Sequence, residues 1–152
     1  MEKPLVFIGY EIKTVSNLLK RKLHNPPLFP EGSITEMHGM IIEYLYQNQE
    51  TKDLFQKDIE AKFSIRRSTA TGILQLMEKN KIIIRESVPY DARLKKIVLT
   101  KEAIAKYQLV KEKIYQLEEQ IQQGLTDEEI QVFYKIMNQI KKNLKEKKGD
   151  IL

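Results

Sequence analysis

The sequence predicts a mainly helical chain with a single small β-hairpin, and three observations predict it. Apolar residues recur at alternating steps of three and four over most of the 152 positions, the spacing that lays a stripe along one side of a helix. One short stretch, residues 82–99, instead holds two runs of β-branched residues around a Pro-containing turn, the mark of a hairpin. Basic charge is uneven: residues 51–100 carry a net +5, against −1 before them and +1 after them.

Leu5, Ile8, Ile12, Val15 and Leu19 form the first stripe, on a helix expected from Pro4 to His24. The run NPPLFPEG at 25–32 then forces an extended connection, because Pro blocks helix continuation. Ser33 and Glu36 have the spacing of a capping box opening a second helix to about Asn48. Phe55, Ile59 and Phe63 give a short third helix. In the fourth, Ala70, Ile73, Leu74 and Met77 face a core, leaving Ser68, Thr69, Thr71, Gly72 and Gln75 on the outer side. Two short helices joined tightly, the second small and polar outside with Arg66 and Arg67 at its start, form a helix-turn-helix suited to a major groove.

IIIRES, the VPYD turn and ARLKKIVL make the hairpin that follows, so the unit is a winged helix-turn-helix. Thr100 is placed to cap a long fifth helix, striped by Ala103, Tyr107, Val110, Ile114, Leu117 and Ile121, until Gly124 breaks it. Thr126 with Glu129 is another capping box, opening a last helix striped by Ile130, Phe133, Met137, Ile140 and Leu144. The expected organisation is a DNA-binding unit at 33–99, with 1–32 and 100–152 forming a helical dimerisation region. Long stripes at both ends need a partner, and a two-fold homodimer is the commonest solution.

These residues carry a resemblance to the MarR family of bacterial winged-helix transcriptional regulators. It rests on IRRSTATGILQLMEKNKIIIR at 65–85, DARLKKIVLT at 91–100 and LTDEEI at 125–130, and covers nearly the whole chain. The family's D-x-R wing motif is Asp91, Ala92 and Arg93 here. Its pattern has Gly where this chain has Lys81 and Ala103, so Asn80 is expected to supply the left-handed residue after the fourth helix. The resemblance implies a dimer, a winged helix in each subunit and a small-molecule pocket between the two parts.

Candidate contacts follow from the division between phosphate positioning and base reading. Arg66, Arg67, Ser68, Thr69, Thr71 and Gln75 are assigned to the recognition helix, Arg67 being the first choice to read guanine through paired donors and one of the two Arg being left to phosphate. Arg93, Lys95, Lys96 and Arg85 are assigned to the wing. Arg93 would enter a narrow minor groove. By resemblance, Asp91 orients the wing tip. Tyr10, Phe29, His38 and Tyr44 are the candidate lining of a pocket for a small apolar or aromatic effector. The expected partner is double-stranded DNA carrying a pseudo-palindromic operator, the expected action repression relieved by the effector, and the alternative a protein-interaction module of the same fold.

Other classes find little support. With no Cys, thiol catalysis and thiolate metal sites are absent. His24 and His38, even with Glu31, Glu36 or Glu43, make a poor metal site, so no metal or cofactor is expected. No catalytic constellation or phosphate-cradling Gly loop is visible, and no membrane span or signal peptide, so a cytoplasmic, non-enzymatic protein is expected.

Overall fold

The computed structural model of the chain describes residues 4–24 and 36–145, without the side chains of His24 and Glu36. The expected 25–32 connection, the Ser33–Glu36 capping box, Phe29, Glu31 and the end of the Lys-rich tail lie outside the described residues. The elements run α1 (Ile8–His24), α2 (Glu36–Asn48), α3 (Gln56–Phe63), α4 (Arg67–Lys79), β1 (Ile83–Val88), β2 (Asp91–Leu99), α5 (Lys101–Gln122) and α6 (Asp127–Leu144). This is the mainly α fold with one antiparallel hairpin that the periodicity predicts.

The chain divides into two compact units, Met1–Lys113 and Ile114–Leu152. In the first unit, Ile41, Ile42 and Leu45 of α2, Ile59 of α3 and Ala70, Leu74 and Met77 of α4 close a core against Ile83, Ile97 and Leu99 of the hairpin and Tyr107 of α5. Each fully buried aliphatic chain contributes about 1.5–3 kcal/mol relative to exposure, so this core fixes α4 and the hairpin together. Along α1, by contrast, Ile8, Tyr10, Val15 and Leu18 stay exposed, as do Leu5 and Phe7 just before it.

Two tight joints orient α4. Between α3 and α4, Ser64 takes a left-handed conformation with φ of 51°, and the Ile65 N–H donates back to Glu60 O at 3.1 Å. After α4, the Lys81 N–H donates to Glu78 O at 3.0 Å and the Ile82 N–H to Met77 O at 2.9 Å. Those two bonds define a Schellman motif, which puts the left-handed residue one position past the helix cap. That residue is Lys81, at φ 57°, and not Asn80, whose φ is −84°. The expectation for Asn80 is therefore corrected: it occupies the cap itself, and the chain carries the strain on a Lys. Met77 and Ile82, both buried, supply the apolar contact that accompanies the motif.

Thr100 joins the hairpin to α5. Its N–H donates to Ile82 O at 3.0 Å, its hydroxyl donates to Lys81 O at 2.8 Å, and the same oxygen accepts from the Ala103 N–H at 3.1 Å. In the second unit the predicted capping box opens α6: Thr126 Oγ1 accepts from the Glu129 N–H at 3.2 Å and Glu129 Oε2 from the Thr126 N–H at 2.9 Å. No described residue of α6 is buried; Phe133, Ile136 and Leu144 all face outward. Of the predicted stripe, Ile130, Met137 and Ile140 are only half-buried, so the described part of this unit closes no apolar core of its own.

Candidate nucleic-acid interface

The candidate interface comprises the N-terminal half of α4 and the tip of the hairpin. Arg66 stands at the N-cap with extended backbone, and no side chain caps the helix there. The free N–H groups of a first turn and the helix dipole favour an anion at this end. Arg67, Ser68 and Thr69 are exposed around it. Farther along, Ser68, Gly72, Gln75 and Lys79 form an exposed stripe with helical spacing, opposite the buried Ala70, Leu74 and Met77.

Thr71 is placed differently from its neighbours. It is half-buried, and its hydroxyl accepts from Gln56 Nε2 at 2.9 Å, an amide that also reaches Arg67 O at 3.4 Å. Gln56 thus staples the start of α3 to the start of α4. Thr71 and Gln75 line a cleft of about 590 Å3 with Gln56, Glu78, Lys79 and Arg85. Arg85 points its Nε at Glu78 Oε2, 3.0 Å away, so its charge is partly neutralised within the protein.

The hairpin tip departs from a regular ladder. Pairing runs in step from Ile83 with Leu99 to Ser87 with Lys95, then jumps to Val88 with Asp91. Ala92, Arg93 and Leu94 therefore bulge from the strand, a device that re-aims a side chain. Asp91 grips the bulge: its Oδ1 accepts from the Arg93 backbone N–H at 2.9 Å and from Nε at 3.1 Å, and its Oδ2 from Nη2 at 3.0 Å. The Arg93 side chain is 89% exposed all the same. These bonds, the side-chain ones first, hold the Asp91 carboxyl below its usual range, and Asp91 in turn raises Arg93.

The two Lys of β2 go to opposite sides, as strand alternation requires. Lys95 Nζ donates to Ser87 Oγ at 2.6 Å. Lys96 Nζ lies 3.4 Å from Asp53 Oδ1 and 3.9 Å from Glu86 Oε2. Asp53, Gln56, Glu78 and Tyr90, which bond to these side chains or to the hairpin turn, are the residues around the candidate site that the sequence reading misses; no local spacing ties them to their partners.

Of the candidate effector residues, Phe29 lies outside the described residues, and the others have these surroundings. Tyr10 stacks on Phe7 with centroids 4.8 Å apart, whereas Tyr44 meets Phe63 edge-on at 5.9 Å with Lys62 Nζ over its ring at 5.5 Å. His38 is buried. Elsewhere on α2, burial raises the Glu43 carboxyl above its ordinary value, opposed by a hydrogen bond from Gln47 and the charge of Lys111. Glu43 Oε2 has no hydrogen-bond partner. Among the described residues, no group of three His, Cys, Asp or Glu could hold a metal, and no helix is long and apolar enough to cross a membrane.

A family model described as MarR family matches residues 33–94. Among solved structures, the transcription regulator MarR from Oenococcus oeni PSU-1 is 31% identical over 90% of this chain and 99% of its own, with a TM-score of 0.80. A DNA complex of S. aureus MepR is 23% identical over 91% of this chain and 97% of its own, with a TM-score of 0.74. S. aureus MepR bound to ethidium bromide is 24% identical over 92% and 98%, at a TM-score of 0.54. No curated protein matches the chain.

Proposed function

The chain belongs to the MarR family of DNA-binding transcriptional regulators, and on that premise we propose that it is a homodimer that binds a specific duplex operator and represses until a small effector releases it. The observation that carries the reading is the pairing of two features on one winged helix: the uncapped, Arg-flanked start of α4 and the exposed, Asp91-held Arg93 on a bulged wing. Arg66 or Arg67 reads guanine and the other meets phosphate. Ser68, Thr69 and Gln75 contact the groove beside them, and Thr71 acts through Gln56. Arg93 enters the minor groove, where a narrow A·T-rich tract attracts a guanidinium.

Dimerisation is supported by the outward apolar stripes of α1 and α6. Two-fold symmetry then places two half-sites about one helical turn apart, roughly 10 base pairs. The proposed effector is small and apolar or aromatic, a class that includes the ethidium held by the S. aureus protein.

The test is a gel-shift titration of mixed-sequence duplex at several salt concentrations, with the assembly state measured by sedimentation. The proposal expects a dimer whose log K falls, for each tenfold rise in salt, by about 0.9 per phosphate neutralised. A monomer, or duplex binding that is absent or insensitive to salt, refutes it.

A further inference from the structure

Asp53 stands outside the hairpin, in the segment that leads into α3, yet it holds the hairpin at two points. Its Oδ2 accepts from the Tyr90 hydroxyl at 3.0 Å and its Oδ1 from Lys96 Nζ at 3.4 Å, across sequence separations of 37 and 43 residues. The backbone beside it is docked as well: the Ile97 N–H donates to Leu54 O at 2.7 Å, and Leu54 is buried. Residues 53 and 54 thus lie along β2, one gripping by side chain and the other by main chain.

The grip matters because of where Tyr90 sits. It occupies the turn of the hairpin, next to Asp91 and beyond the point where the ladder loses register. Ladder pairing is regular as far as Ser87 with Lys95 and returns only at Val88 with Asp91, so Ala92, Arg93 and Leu94 between those pairs have no ladder partner, while buried Val88 roots the other side of the turn. The Asp91–Arg93 bonds lie wholly within the tip and so orient Arg93 relative to Asp91 only. The Tyr90–Asp53 bond ties that tip to the body that carries α4.

We propose that Asp53 and Tyr90 are a positioning pair that sets the angle at which the wing presents Arg93 to DNA, and that Lys96 belongs to this clamp rather than to a phosphate contact. This rests on the reading that the wing meets DNA. A clamp of this kind converts wing mobility into affinity, since ordering the tip before binding removes a cost otherwise met on binding. It acts against simple electrostatics. Removing the Asp53 carboxylate takes a negative charge from beside a polyanion and releases Lys96, and both changes alone tighten binding. The clamp requires the opposite sign.

The experiment measures binding of the full-length dimer, by fluorescence anisotropy at fixed salt, to a labelled duplex carrying the sequence most enriched on the wild-type protein from a random pool. Tyr90→Phe removes one hydroxyl, changes no charge and sits at an exposed position, so folding survives it. The expected result is a loss of about threefold to tenfold, with the salt slope unchanged and no further loss when Arg93→Ala is already present. Asp53→Ala is expected to weaken binding as well. Lys96→Ala keeps the wild-type salt slope, whereas loss of a phosphate contact would lower it by about 0.9. Wild-type affinity for Tyr90→Phe, tighter binding by Asp53→Ala, or an undiminished Tyr90→Phe loss in the Arg93→Ala background overturns the clamp. Wild-type affinity for Arg93→Ala itself overturns the wing reading, and the clamp with it.

Discussion

Lys81→Gly should stabilise the protein, although it removes a side chain and loosens the unfolded chain. Lys81 has a φ of 57°, in the left-handed region that costs an L-residue about 1–2 kcal/mol. The position cannot relax, because its N–H is bonded to Glu78 O at 3.0 Å, its carbonyl accepts from Thr100 at 2.8 Å, and the next N–H closes the Schellman bond to Met77 O at 2.9 Å. Glycine removes the penalty but adds unfolded-state freedom worth about 0.4–1 kcal/mol. The net gain is about 0.5–1 kcal/mol, or roughly 1–4 °C in Tm for a chain of this size. Thermal unfolding at matched protein concentration measures it, since the melting of a dimer depends on concentration. Lys81→Asn should gain by a similar route, and Lys81→Val should lose stability, because a β-branched residue is poorly tolerated at positive φ. A Gly variant that melts at or below the wild type, or a Val variant that matches it, refutes the reasoning.

Other predictions concern the site and its surroundings. Arg93→Ala should weaken binding to the selected operator by about fivefold to a hundredfold with an unchanged Tm, because exposed ion pairs contribute little to folding; anisotropy titration and thermal unfolding check the two halves. Asp91 should titrate below the usual carboxylate range by carboxyl-carbon NMR, and Arg93→Ala should return it upward, because the guanidinium bonds are the main cause of the depression. Whatever stability that pair adds is present above the ordinary Asp value and lost as pH falls through the depressed one. Glu43 has the reverse sign. Burial raises its carboxyl, so the folded state binds the proton more tightly, and the cost of the charge grows as pH rises from the ordinary Glu value through the raised one. Glu43→Gln should therefore match wild-type stability below pH 4 and exceed it at neutral pH, in denaturant melts at both pH values.

Features set by neighbours in the chain were legible without a structure. The Thr126–Glu129 box, the Thr100 cap and the buried Ala70–Leu74–Met77 stripe each depend on residues three or four apart, where helix geometry dictates the meeting. The hairpin was legible from its β-branched runs, and the family resemblance gave Asp91 and Arg93 their joint position. What escaped depends on tertiary geometry. Nothing in the spacing links Asp53 to Tyr90, or shows that Lys96 meets Asp53 and Glu86 and that Thr71 serves Gln56. The left-handed residue after α4 escaped for a subtler reason: Asn tolerates positive φ better than Lys, but the bonds made by Lys81, Ile82 and Thr100 fix the register of the cap. Local preference loses to that register by one residue. Tyr10 and Tyr44 each meet a ring that no spacing pointed to, since helix-packing aromatics carry no mark of which side they will take.

The central claim is that this winged helix reads a specific duplex as a two-fold dimer, and selection of bound duplexes from a random pool tests it most directly. The account predicts recovery of an imperfect palindrome with half-sites centred about 10 base pairs apart and A·T-rich steps where the two wings fall. Recovery of sequences with no shared motif, or of a single unrepeated half-site, would contradict it.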